Sequence, residues 1–244
     1  MRNIKLTLAY DGTNYHGFQL QSNAVTVQEK LEEALQTVFG SPIRITAASR
    51  TDAGVHALGQ VINFRTDSRI PAERIPYALN SVLPDDIVIT AASEMPADFH
   101  ARFSAKSKVY CYFIDRAPHP QVLTRHYAYH IRYPLDVGLM QKAAATMVGR
   151  HDFRSFMASG SNVTSTVRHL KRLEVKECNG YMKITAEADG FLYNMVRIIT
   201  GTLLEVGCGK RDYNLEPVIK ACSREAAGPT APPRGLVLRE VKYD

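Results

Sequence analysis

The chain has 244 residues, 45% of them hydrophobic, with no Trp and a formal net charge of +6. That length and apolar content bury one large core or two of ordinary size, and no run approaches the ~18 apolar residues that span a membrane. The four cysteines (Cys111, Cys178, Cys208, Cys222) form no Cys-x-x-Cys pair, so they read as reduced, mostly buried thiols rather than a zinc site or disulfide frame.

Taken in order, residues Ile4 to Tyr10 alternate apolar and polar, the pattern of a strand with one buried face. The segment has no signal-peptide core, which makes a cytoplasmic location the default expectation. Thr26-Val27-Gln28-Glu29 reads as a capping box. Behind it Val27, Leu31, Ala34, Leu35 and Val38 make one apolar helical face, stopped by Gly40 and Pro42. Short strands are predicted near 43–48 and 58–66, a helix from about Pro71 toward Leu79, and a strand near 86–93. The order is β-α-β-β-α-β, the ferredoxin-like unit.

The second half repeats this more loosely. Strands are predicted near 107–114 and 126–132, a helix near 136–147, then strands near 170–177 and 181–188. The apolar segment Phe191 to Val206 predicts a buried helix, and Leu236 to Tyr243 a final strand. The expected architecture is therefore α+β. Two ferredoxin-like halves, 1–104 and 105–244, would share a continuous, mostly antiparallel sheet with helices behind and a central cleft at the open face and seam. The polar stretch from Gly149 to Thr166 reads as a loop, either solvated or suited to a polyanion. Within it Asn162-Val163-Thr164 matches a glycosylation sequon by pattern only. His126 and His130 would share a strand face, but without a third ligand nearby they read as ordinary surface histidines.

Charge is unevenly spread. Residues 1–100 carry 8 Lys/Arg against 11 Asp/Glu, and residues 101–244 carry 22 against 13. The excess gathers at Arg102, Lys106, Lys108, Arg116, Arg125 and Arg132, and again at Arg168, Lys171 and Arg172. Phe103, Tyr110, Tyr112, Phe113, Tyr127, Tyr129 and Tyr133 are interleaved with the first group. Cations for phosphates and flat rings for bases are what a nucleic acid requires. Strands rich in Tyr in a moderately basic protein give the same composition.

The most informative segment is Ser49-Arg50-Thr51-Asp52-Ala53-Gly54-Val55-His56. Arg50 beside Asp52 favours the carboxylate form, and Ala53-Gly54 let a large ligand approach the backbone. A carboxylate that stays ionised suits a nucleophile or base. Asp-Ala-Gly is equally a common turn, in which Asp bonds its own backbone. Gly207-Cys208-Gly209-Lys210 is not a phosphate loop, because Leu204 stands at the first Gly position and Arg211 at the Ser/Thr. It reads as a glycine-capped helix end. No Rossmann fingerprint, nucleophile elbow or His-Glu-x-x-His occurs.

Several segments together resemble the tRNA pseudouridine synthase A family. They are Tyr10-Asp11-Gly12-Thr13-Asn14-Tyr15-His16-Gly17-Phe18-Gln19, the Ser49–His56 segment, Phe99-His100-Ala101-Arg102-Phe103-Ser104-Ala105, and Lys108-Val109-Tyr110-Cys111-Tyr112. His151-Asp152-Phe153, Gly190-Phe191-Leu192-Tyr193-Asn194-Met195-Val196-Arg197 and Ala231-Pro232-Pro233-Arg234-Gly235-Leu236 complete the set in family order. One departure is Asn194, where the family pattern leads one to expect His.

The resemblance implies an isomerase, without cofactor or metal, converting uridine to pseudouridine at positions 38, 39 and 40 of the tRNA anticodon stem-loop. The N1–C1′ bond breaks, the base turns, and C5 bonds to C1′. Asp52 would be the catalytic carboxylate, attacking sugar or base or deprotonating the sugar. Arg197 would pair with Asp52, since a buried Arg without a partner is costly, although by itself it reads as part of a structural salt bridge. Tyr110 would stack on the extracted uracil, offsetting part of the cost of base flipping; its alternative is a core tyrosine beside Tyr112, with strand alternation turning one of the two to the cleft. Arg50 would help extrude the base or contact a phosphate, and Leu236 would pack beneath the base. A homodimer is implied, and no membrane partner. Two other readings explain less: a non-catalytic RNA-binding module leaves Asp52 and Arg197 without a role, and a glycosidase generally uses paired carboxylates.

Overall fold

The computed structural model describes residues 1–160, 163–178 and 180–243, so Asn162 of the sequon lies outside the described residues. The chain forms two compact units, Met1–Lys106 with Val237–Asp244, and Ser107–Leu236.

In the first unit β1 (Arg2–Tyr10) buries Ile4, Leu6, Leu8 and Tyr10 on one face, as its alternation requires. The helix α1 (Val27–Phe39) starts at Thr26, whose hydroxyl accepts the Glu29 N–H at 3.3 Å while a Glu29 carboxylate oxygen accepts the Thr26 N–H at 3.4 Å. This is the predicted capping box, and it satisfies two N–H groups that a helix start otherwise leaves without partners. Val27, Leu31, Ala34 and Leu35 are buried and Gly40 caps the far end. Then come β2 (Thr46–Ala47), β3 (His56–Thr66), α2 (Ile75–Asn80) and β4 (Ile87–Met95). The sheet order is β4-β1-β3, with β1 antiparallel to both neighbours and β2 antiparallel on β3. This matches the expected β-α-β-β-α-β run.

The last strand, β10 (Leu236–Lys242), lies parallel to β3, pairing Val237 with His56 and Leu238 with Ala57. The chain's end thus returns to the strand that leaves the Asp52 loop. Position in sequence carries no signal of that return.

The second unit pairs β5 (Ser107–Asp115), β9 (Tyr181–Ala188), β8 (Val167–Cys178) and β7 (Gly149–Asp152) antiparallel in that order. The two-residue β6 (Tyr129–His130) runs parallel to β5, much shorter than the expected strand at 126–132. Helix α3 (Val137–Met147) is capped by Asp136, whose carboxylate accepts the Leu139 N–H at 2.9 Å. Helix α4 (Met195–Gly207) is almost wholly buried. Its end carries the paired bonds of a Schellman cap, Gly209 N–H to Val206 O at 3.0 Å and Lys210 N–H to Glu205 O at 2.9 Å. The glycine-capped reading of 207–210 is correct.

Three expectations need correction. The helix placed at Phe191 begins at Met195, because Asn194 takes a left-handed backbone, φ 59°, that no α-helix continues. The supposed loop at 149–166 holds β7 and a 3-10 turn at Arg154–Phe156, with Phe153, Ser155 and Phe156 fully buried. Its irregular burial hides it from period-based reading. The Ser155 hydroxyl donates to Val218 O at 2.6 Å and accepts the Ser223 N–H at 3.0 Å, tying that turn to the short α5 (Glu216–Lys220), which periodicity also misses. Finally, Cys111 is buried but Cys178 is exposed and Cys208 and Cys222 are half-buried.

Candidate active site

Asp52 is half-buried and Arg50 exposed on the loop between β2 and β3. That loop rests on backbone of the 11–18 segment. Phe18 N–H donates to Thr51 O at 3.0 Å, and Gly54 N–H to Tyr15 O at 3.3 Å. Within the loop Val55 N–H donates to Asp52 O at 3.1 Å, closing the turn. Contact this close has a composition requirement. A Cβ at Gly12 would lie 2.1 Å from Val55 O, and one at Gly17, where φ is +94°, 2.8 Å from Thr51 O. Only glycine meets both conditions.

Side chains complete the support. The hydroxyls of Tyr10 and Thr51, the residue before Asp52, share a hydrogen bond of 2.7 Å. Tyr15 donates to Asp86 at 2.5 Å; burial foremost, then that carboxylate's hydrogen bond and charge, push its hydroxyl pKa up, so it stays a donor. Gln60, fully buried, accepts the Ser49 N–H at 3.2 Å and donates to Ser49 O at 2.8 Å. His56 Nδ1 lies 3.0 Å from Gly12 N and 3.0 Å from an Asp11 oxygen. One nitrogen cannot accept from Gly12 and donate to Asp11 together; the contact with Asp11 is an ion pair only when the ring is charged.

Tyr110, Arg197 and Leu236 belong to the second unit. Tyr110 and Tyr112 stand two residues apart on β5, so they share a face. The expectation that alternation turns only one of them to the cleft is therefore wrong: the strand's period is two. Tyr110 is 6% exposed and meets Phe191 edge-on, centroids 5.1 Å apart at 85°. Tyr112 is fully buried and donates to Pro232 O at 2.7 Å. Burial drives its hydroxyl pKa up, against the charges of Arg197 and Arg234.

Arg197, in the first turn of α4, is half-buried. Its Nε–H donates to Ala231 O at 2.8 Å, its Nη1–H to Asn194 Oδ1 at 2.6 Å, and its own carbonyl accepts the Ala231 N–H at 3.1 Å. Asn194 thus supplies an acceptor from a left-handed position that Asn tolerates better than most residues. Arg197 and Tyr112 hold two successive carbonyls of the segment that ends at Leu236, itself 5% exposed. The family motifs give Arg197 and Tyr110 roles and Tyr112 none of its own; its signal is the i, i+2 spacing from Tyr110. Among the described residues no group of three His, Cys, Asp or Glu side chains is placed to hold a metal ion, and no helix is long and apolar enough to cross a membrane.

The model of the tRNA pseudouridine synthase family matches residues 7–104 and 143–244. The chain is 51% identical to tRNA pseudouridine synthase A of Thermoanaerobacter sp. (strain X514) over 244 residues, all of both chains. It is 50% identical to the protein of that name from Ruminiclostridium cellulolyticum over 246 residues, again the whole of both chains. Identity with the Brevibacillus brevis protein of that name is 49% over the full length of each. The chain belongs to the tRNA pseudouridine synthase family, whose members are isomerases.

Proposed function

We propose that this protein isomerises uridine to pseudouridine at positions 38, 39 and 40 of the tRNA anticodon stem-loop, with Asp52 as the catalytic carboxylate. The observation that carries the assignment is the Asp52 loop, its backbone packed on Gly12 and Gly17 and its preceding residue tied to Tyr10. Electrostatic and covalent roles both need a carboxylate whose position does not drift. Arg197 pairs with Asp52, Tyr110 stacks on the extracted uracil, Arg50 meets the displaced base or a phosphate, and Leu236 packs beneath the reacting ring. The rearrangement is redox-neutral and transfers no group from a donor, so side chains suffice and no cofactor is required. The acidic region 1–104 carries the carboxylate and the basic region 105–244 most of the charge for RNA. The protein works as a cytoplasmic homodimer.

The test uses tRNA carrying tritium at uridine C5 and no added nucleotide or metal. The wild-type protein releases tritium, and Asp52→Asn binds the same RNA but releases none. Binding without release by the wild type would leave a non-catalytic RNA-binding protein. Release that survives Asp52→Asn would move catalysis to another residue.

A further inference from the structure

The turn after β4 holds an aromatic ring outward on a fixed backbone. Phe103 is 75% exposed, yet its turn is tied from several sides. His100 Nδ1 accepts the N–H groups of Arg102 at 3.2 Å and Phe103 at 3.3 Å. Ser104 Oγ accepts the His100 N–H at 3.1 Å, and Ser104 N–H returns to His100 O at 2.9 Å. Between them Ala101, fully buried, donates to Asn63 Oδ1 at 2.9 Å and accepts the Tyr243 hydroxyl at 2.8 Å. A ring on a loose loop would be an ordinary surface residue. A ring whose backbone is already bound to β3 and to Tyr243 after β10 has little freedom left to lose when something stacks on it.

The groups around the ring define the occupant. The His100 ring lies 4.3 Å from that of Phe103 at 32°, and the Arg102 guanidinium 5.6 Å from the Phe103 centroid. With His100 Nδ1 accepting these two N–H groups, Nε2 is the ring nitrogen left to donate. His100 also lines an open groove of about 800 Å³ within the first unit, along with Arg44 and Arg65. Of the two carboxylates there, Asp67 is met by the N-terminal amine at 3.3 Å, leaving Asp98 as the opposing charge. A ring that stays 75% exposed while a guanidinium and an imidazole N–H donor lie against it matches a nucleotide: base on the exposed part of the ring, phosphate on the donors.

This turn is remote from Asp52. It is tied to the Asn3 and Asn63 end of the β1–β3 ladder, whereas the Asp52 loop meets the Tyr10 and Ala57 end. Seven residue steps along β1 separate those ends, about 23 Å at ~3.3 Å per residue. We infer that the His100–Ser104 turn is a second RNA contact, at which an unpaired base of bound tRNA stacks on Phe103 with its phosphate at Arg102 and His100 Nε2. The inference rests on the tRNA reading above and adds a subsite to it.

Phe103→Trp tests it directly, because the chain has no other tryptophan and the indole reports from this turn alone. Unmodified tRNA should quench its fluorescence along the isotherm that anisotropy gives for RNA binding, and base-free polyphosphate should leave it unchanged. Phe103→Ala should raise KM for tRNA about 5- to 150-fold, with a smaller effect on kcat, and Phe103→Tyr should restore it. A combined Asp52→Asn, Phe103→Trp protein should still quench while making no pseudouridine, which separates failure of the subsite from failure of the catalytic assignment. Unchanged fluorescence at RNA saturation, or equal quenching by polyphosphate, overturns the inference.

Discussion

The Asp52 loop of the first unit and the Ala231–Leu236 segment of the second are both irregular chain, yet they are held by different means. The loop lies backbone against backbone, close enough at Gly12 and Gly17 that a side chain there would overlap Val55 or Thr51. The segment is held by donors reaching from helix and strand, Arg197 to Ala231 O and Tyr112 to Pro232 O. Adding an atom breaks the first support, and removing a donor breaks the second. The loop is positioned mainly through its backbone, with the Thr51–Tyr10 hydroxyl pair as a side-chain addition. The second arrangement spends a charged side chain on positioning, and links that side chain's geometry to the segment it holds.

Gly12→Ala attacks the first support and has the largest expected effect. A Cβ 2.1 Å from a carbonyl oxygen forces the loop to move, at about 3 kcal/mol by the usual cost of overpacking. That lowers Tm by about 6–12 °C and activity with it. A thermal melt within 1 °C of the wild type would show that the backbone contact is dispensable. Arg197→Lys attacks the second. Lysine keeps the charge but cannot reach Ala231 O and Asn194 Oδ1 together from one nitrogen, for a loss of about 2 kcal/mol. The expected Tm drop is about 4–8 °C, with a larger fall in kcat because the same group faces Asp52 in the proposed pair. Equal activity in the two proteins would remove Arg197 from the mechanism.

Asp152→Asn sharpens the comparison from outside both segments, and its effect is the smallest. Burial acts to raise the Asp152 carboxyl, but hydrogen bonds from Thr166, the Arg154 N–H and Cys222, with the Arg154 charge, outweigh it and hold the pKa below the usual carboxylate range. A depressed native pKa means that its stabilisation is present above the unfolded value and is lost as pH falls through the folded one. The carboxylate is partly exposed, so its contribution is about 0.5 kcal/mol. Melting curves of wild type and variant should differ slightly at pH 7 and converge below about pH 4. A difference independent of pH would point to packing instead.

Local patterns were legible where local physics decides. The Thr26–Glu29 capping box, the alternation of β1 and the Gly209 cap depend on residues within a few positions of one another, and all three form as read. The family motifs point to Asp52 and Arg197, which lie on the β2–β3 loop and in the first turn of α4. Asn194 was legible only as a departure from a motif. That it delays the start of the helix to Met195 and turns an amide oxygen to Arg197 depends on a left-handed backbone that periodicity does not encode. Phe153 and Phe156 are not legible as core in the sequence, because burial around a 3-10 turn follows neither a period of two nor one of 3.6.

By itself, then, the amino-acid order determined the α+β class, most elements, the uneven charge and the family, because each rests on short-range preference or on motifs read in line. Tertiary structure alone decided that β10 returns to β3, that Gly12 must let Val55 approach, and that Tyr112 and Arg197 hold one segment between them. Those depend on which distant strands and carbonyls meet. Such meetings are selected by burial and hydrogen-bond satisfaction over the whole unit, and no window of sequence contains both partners.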